Sequence, residues 1–205
     1  MTYARLWMAT LLLIAGSALA ETRPYALEVL IFSRPGPVHS IDEVFPSEAP
    51  KAPDAIDLLF ATESRFRNMV PLPGSSFVLQ NAARRIESEL RGHILFHQRW
   101  IHPLTQGQQN NPWFRVTGLG PNGMTLDGYL RWSIDRFIEL DADLRVSRPG
   151  LRFDRDGEPL DTLYLLDEFR KMSSKDIHYL DHPAFGMIIA AEPIELLQDP
   201  EVLGQ

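Results

Sequence analysis

The chain has 205 residues, a formal net charge of −7 and no cysteine. An acidic chain without a basic cluster is a poor partner for nucleic acid or anionic membrane surfaces, and without cysteine it has no disulfide to lean on. Its 44% hydrophobic residues supply a core instead, in a chain whose length suits one domain.

The chain opens with Arg5 and an apolar block over 6–15, then reaches Ala18-Leu19-Ala20 before the polar Glu21. A charged start, an apolar stretch too short to span a bilayer and small residues at a cleavage position predict a secretory signal peptide over 1–20. No cysteine follows, so the mature chain is expected to begin at Glu21 without a lipid or a membrane span. Cleavage removes Arg5 and takes the net charge from −7 to −8.

Residues 25–32, Tyr-Ala-Leu-Glu-Val-Leu-Ile-Phe, predict a first strand that stops at Ser33-Arg34-Pro35-Gly36-Pro37. A proline-rich, aperiodic surface excursion follows over about 35–78. Within it, 55–68 carries Ile56, Leu58, Leu59 and Phe66 as a short helix or an isolated apolar patch. Leu79, Ala83, Ile86 and Leu90 then recur at helical spacing, with Gly92 placed to cap the end, so an amphipathic helix is expected over 79–90. A strand over 93–101 follows, ended by His102-Pro103.

From Trp113 onward the period is two. Met124, Leu126, Gly128, Leu130 and Trp132 alternate with polar residues, as do Ile138, Leu140, Ala142, Leu144 and Val146. Each run has one buried and one wet face, and the short link 133–136 makes them an antiparallel hairpin. On the wet face Glu139, Asp141 and Asp143 lie two apart, with Arg131 and Arg145 as expected salt-bridge partners. A loop is expected through Arg148-Pro149-Gly150 and 154–159. A strand over 160–172 follows, with Leu163, Leu165 and Phe169 on one face. Residues 21–193 read as a single α+β domain, a mostly antiparallel twisted sheet of about six or seven strands with one main amphipathic helix. A partly closed barrel is the alternative arrangement. Residues 194–205 read as an acidic tail.

The stretch 177–189 concentrates the polar chemistry. His178, Tyr179, Asp181, His182, Pro183 and Gly186 precede or interrupt an apolar run over 185–191. Pro183 forbids a helix continuing past His182, and Gly186 tolerates backbone angles that other residues do not, so this is a turn feeding a buried strand. His178, Asp181 and His182 could serve a metal-dependent periplasmic hydrolase as ligands or acid/base groups. The favoured reading makes His178, Asp181, Pro183 and Gly186 structural, with Asp181 and both histidines, His178 and His182, bonded to turn backbone. The sequence has no GxGxxG, P-loop, HExxH or G-x-S-x-G motif.

Three blocks together carry a family resemblance: Tyr25-Ala-Leu-Glu-Val-Leu-Ile-Phe32, Leu95-Phe-His-Gln-Arg-Trp100, and 172–189 with His178-Tyr-Leu-Asp-His-Pro183 and Phe185-Gly186. The chain resembles the CsiV-type peptidoglycan-binding proteins of gammaproteobacteria. The resemblance implies a periplasmic, non-enzymatic protein without a cofactor. It also implies that the protein binds peptidoglycan and promotes its synthesis with the outer-membrane lipoprotein activator of a class A penicillin-binding protein. It brings no contact residues, so these come from chemistry. Aromatic faces and planar polar groups grip sugars and peptide stems. The candidates are Trp100, Trp113, Tyr129, Arg131, Tyr179 and His182.

Overall fold

The computed structural model describes residues 22–35, 54–58, 69–153, 155–157 and 159–195. The signal peptide, most of the proline-rich excursion and the tail beyond residue 195 lie outside the described residues. Among the described residues ten strands and one α-helix run in the order β1 (Thr22–Ser33), β2 (Ile56–Asp57), β3 (Val70–Pro71), α1 (Gln80–Ser88), β4 (His93–Thr105), β5 (Trp113–Leu119), β6 (Thr125–Ile134), β7 (Ile138–Phe153), β8 (Pro159–Met172), β9 (Ile177–Asp181) and β10 (Phe185–Pro193).

The strands form two five-stranded sheets rather than one sheet of six or seven, and neither closes into a barrel. The first has the order β3-β4-β1-β10-β9 and the second β2-β5-β6-β7-β8; all pairings are antiparallel except the short β2–β5 pair. One core fills the space between them. Leu27, Val29, Trp100, Met187 and Ile189 from the first sheet join Phe114, Leu130, Trp132, Leu140 and Leu144 from the second. Ile56 and Leu58 of the excursion are buried in that core as well.

α1 covers the other side of the first sheet. Ala83 and Ile86 pack with Leu30, Phe32 and Ala190, so β1 and β10 are covered on both faces, which is why their sequences are near-continuous apolar runs. One charged residue, Glu28, interrupts the β1 run and is fully buried. It faces the N-terminus of α1. That helix has no side-chain cap of its own at Leu79, and the Glu28 carboxylate accepts the N–H groups of Val78 (2.7 Å) and Leu79 (2.9 Å). His97 Nε2 lies 2.8 Å from the same carboxylate, and Arg99 joins Glu28 to Glu192.

The hairpin β6–β7 forms in the expected register, from Thr125 opposite Ser147 to Ile134 opposite Ile138, with the expected apolar faces buried. The wet-face carboxylates are paired: Asp141 with Arg131 (2.9 Å), Asp143 with Arg145 (3.7 Å) and Glu139 with Lys171 of β8 (3.4 Å).

Other expectations are corrected. β4 does not stop at His102-Pro103 but runs on to Thr105, with Pro103 directly opposite Pro24 of β1. Two residues without N–H groups can face each other only in a non-hydrogen-bonded pair, where neither is asked to donate. Arg148-Pro149-Gly150 is not a loop but an irregularity inside β7, where pairing with β8 jumps from Arg148 to Arg152. Gly150 has φ +70° there. On β8 the core face is Tyr164, Leu166 and Met172, whereas Phe169 is exposed. The register with β7 decides this, because Tyr164 and Leu166 stand opposite the inward-facing Val146 and Leu144. Finally, α1 ends at Ser88 and Gly92 is not its left-handed cap. Arg91 takes that conformation (φ +52°), and the Gly92 N–H returns to the Ile86 carbonyl at 2.9 Å. Gly92 is small for another reason: a Cβ there would lie 2.7 Å from Ile86 Cγ2 and 2.8 Å from the Ser33 carbonyl.

Candidate functional site

The stretch 177–189 folds as the β9–β10 hairpin, closed by a two-residue loop in which His182 and Phe185 exchange N–H···O bonds of 3.0 and 3.2 Å. Pro183 occupies the exposed loop position, as its fixed φ and absent N–H suit. His182 is buried. Its Nδ1 accepts the Ala184 N–H at 3.1 Å, and its ring stacks on Phe185 at 4.7 Å. Of the three polar residues read as turn braces, only His182 braces it. His178 bonds the Ser173 carbonyl at 3.0 Å, and Asp181 turns outward to Tyr179 and Arg34.

That outward group forms the rim of a groove. β9 is an edge strand, and because Leu180 points into the core, its neighbours Tyr179 and Asp181 point to the helix side of the sheet. The Tyr179 ring lies across Gly186: a Cβ on Gly186 would fall 2.8 Å from the Tyr179 hydroxyl and 2.8 Å from Phe32 Cζ. Gly186 is required by this close approach, not by an unusual φ. Phe32 and Tyr179 stack with ring centroids 6.4 Å apart. The Tyr179 hydroxyl donates to Asp181 Oδ1 at 2.7 Å, and Arg34 Nη2 donates to both of them. Burial pushes the Tyr179 hydroxyl above its ordinary pKa, the Asp181 bond adds to this and the Arg34 cation opposes it, so the phenol stays protonated and donating.

Arg34 is held from behind. Its N–H bonds the Ala184 carbonyl at 2.9 Å, and its carbonyl accepts Arg148 Nη2 at 2.8 Å. Arg148 comes from the irregular part of β7, also bonds Ala184 O at 3.0 Å, and sits 5.7 Å over the Tyr164 ring. Burial lowers its pKa, yet from so high a starting value that the cation persists near neutrality. The rim is therefore pinned to the second sheet. Beside it a groove of about 510 Å³ runs between α1 and β9, lined by Phe32, Arg34, Ile86, Leu90, Tyr179 and Ile188. Leu90, expected on the buried helix face, is exposed beyond the end of α1 and forms one lip.

The remaining candidates lie elsewhere. Trp100 is buried against Phe114 at 5.5 Å and reaches no surface. Trp113, Tyr129 and Arg131 share the outer face of the second sheet, on the opposite side of the molecule from Tyr179. Arg131 is the cross-strand partner of Trp113, stacks over its ring at 4.3 Å and bonds Asp141. The side chains needed by the hydrolase reading do not converge, and among the described residues no group of three His, Asp or Glu side chains could hold a metal ion. Arg34 and Arg148 were not singled out in the sequence; each stands beside a proline in a segment that reads as loop.

A family model described as "Peptidoglycan-binding protein, CsiV" matches residues 6–194. The chain belongs to the CsiV family. No curated protein and no solved structure matches it. The CsiV match spans both sheets, α1 and the groove, so it covers the whole two-sheet body and not the hairpin alone. Among the described residues no helix is long and apolar enough to cross a membrane.

Proposed function

We propose that this CsiV-family protein is a periplasmic, non-enzymatic accessory factor that binds peptidoglycan and promotes cell-wall synthesis through the outer-membrane lipoprotein activator of a class A penicillin-binding protein. The observation that carries the reading is the family match over nearly the whole chain. The contact side is the Tyr179 groove. It offers an aromatic ring, an apolar trough and two charged groups within reach of solvent, the usual makings of a ligand cleft. On the opposite face Arg131 is already engaged by Trp113, Asp141 and Gln108. Trp113, Tyr129 and Arg131 accordingly act as a sheet surface, while Trp100 and His182 act through packing.

Co-sedimentation with purified sacculi tests the reading. The protein is expected in the pellet at low and moderate salt, because an acidic protein cannot rely on broad attraction to an acidic polymer. Tyr179→Ala should reduce pelleting where Trp113→Ala does not. Protein left in the supernatant at every salt concentration would overturn peptidoglycan binding, and the reverse order of the two variants would move the contact to the second sheet.

A further inference from the structure

The rim of the groove carries one cation and one anion, and both have bonding capacity to spare. Arg34 and Asp181 have side chains 37% and 57% exposed, so their mutual contact adds little to folding and can be rearranged. Arg34 uses Nη2 for its contacts with Tyr179 and Asp181, and both bonds to Asp181 end on Oδ1. Among the described residues Arg34 Nε and Nη1 and Asp181 Oδ2 take no side-chain hydrogen bond. A purely anionic ligand would meet Asp181 and a purely cationic one would meet Arg34. A ligand bearing both charges on neighbouring atoms satisfies both. Below the rim the walls are apolar: Phe32, Ile86, Leu90 and Ile188.

We propose that the groove binds a zwitterionic α-amino-acid head carried on an aliphatic arm, with the carboxylate on Arg34, the ammonium on Asp181 and the arm lying between Leu90 and Ile188. This deepens, and rests on, the peptidoglycan reading. In the polymer that chemistry belongs to the free end of a diamino acid in a stem peptide. Cross-linking acylates the amine and removes its charge, so the site distinguishes stems with an unlinked amine from cross-linked ones. Tyr179 positions the pair: its hydroxyl bonds Asp181 Oδ1 and leaves Oδ2 to accept from the ligand.

Norleucine carries this head on a butyl arm and serves as the probe in an NMR titration of 15N-labelled protein. Saturable shifts are expected at the amides of Arg34, Tyr179 and Ile188, with hexanoate, hexylamine and N-acetylnorleucine each at least about tenfold weaker, the scale of one lost charge-assisted contact. Arg34→Gln and Asp181→Asn should each weaken norleucine binding by a similar factor while preserving the rest of the spectrum; both side chains are exposed, so the fold survives. Equal response to hexanoate or N-acetylnorleucine, or no shift at these amides, overturns the proposal. A second arm compares intact sacculi with glycan strands stripped of stem peptides. Binding to intact sacculi alone supports the proposal. Equal binding to both overturns it and leaves the peptidoglycan reading standing. Failure to bind either removes the peptidoglycan reading, and the norleucine titration then decides the chemistry of the groove by itself.

Discussion

Glu28 holds Leu79 from the first sheet: a strand carboxylate with no solvent exposure accepts the N–H of the N-cap residue, and that of Val78 just before it, at a helix that has no capping side chain of its own. The first N–H groups of any helix lack internal partners, and a carboxylate there is favoured by the helix dipole as well. The same carboxylate lies within reach of His97 and Arg99. This is what seats α1 on the first sheet and thereby builds one wall of the groove.

Glu28→Ala should therefore be among the most damaging single substitutions. It strands two backbone donors and removes a partner from buried Arg99, and breaking one side of a buried ionic network costs about 3–5 kcal/mol. Chemical denaturation of wild type and variant at neutral pH reads it directly. A difference under about 1 kcal/mol would show that the cap contributes little.

Asp143 predicts a pH effect of definite sign. It faces Asp167 across the β7–β8 pair, and burial raises its pKa, only partly opposed by Arg145. A carboxyl whose folded pKa is raised binds its proton more tightly in the folded state. Its favourable contribution is present at acid pH and is lost as pH rises through that folded value. At neutral pH the ionised group is a burden. Asp143→Asn should raise the denaturation midpoint near neutral pH, and the gain should shrink as pH falls through the raised folded value towards the ordinary carboxylate one. A gain that grew on acidification would contradict the sign.

Two glycines predict an order of damage. A Cβ at Gly118 would fall 1.9 Å from the Leu95 carbonyl, at the place where β1–β4 pairing skips Leu95. Backbone would have to move, and the packing of β4 on β5 with it. At Gly186 the obstacles are the ring ends of Tyr179 and Phe32, which can swing aside. Gly118→Ala should destabilise by more than the roughly 1–3 kcal/mol usual for overpacking. Gly186→Ala should fall within that range and displace Tyr179 from the rim. Thermal unfolding of the two variants side by side checks the order.

The parts of this fold that could be read in the sequence are those where a single face decides the pattern. Strands β6 and β7 alternate strictly because one side is core and the other water, and α1 shows its stripe for the same reason. Where both parities are apolar, as in Leu163-Tyr164-Leu165-Leu166, the pattern is silent and the register with β7 chooses the face. The division into two sheets rests on long-range pairing such as β1 with β10, which no local period encodes. Glu28 stood out in the sequence only as a charge within an apolar run, since its partners lie fifty or more residues away. Tyr179 was legible as a candidate; its rim was not, because Arg34 reaches it across the sheet from the end of β1.

The hairpin itself supplies the last prediction. In sequence Asp181 and His182 look like equal braces of one turn, yet the structure separates them: His182 is buried and holds the Ala184 N–H, whereas Asp181 is over half exposed and pairs with Arg34. Removing a buried acceptor leaves its donor unpaired at about 1–3 kcal/mol, and losing the ring stacked on Phe185 adds a packing defect. An exposed ion pair contributes about 0–1 kcal/mol. His182→Ala should thus lower the melting temperature by several degrees and reduce sacculus binding only in step with the folded fraction. Asp181→Ala should leave melting nearly unchanged and weaken binding in fully folded protein. Thermal unfolding and co-sedimentation on the same two variants separate these outcomes. A large melting loss for Asp181→Ala would make Asp181 a structural brace after all and take the rim out of the ligand site.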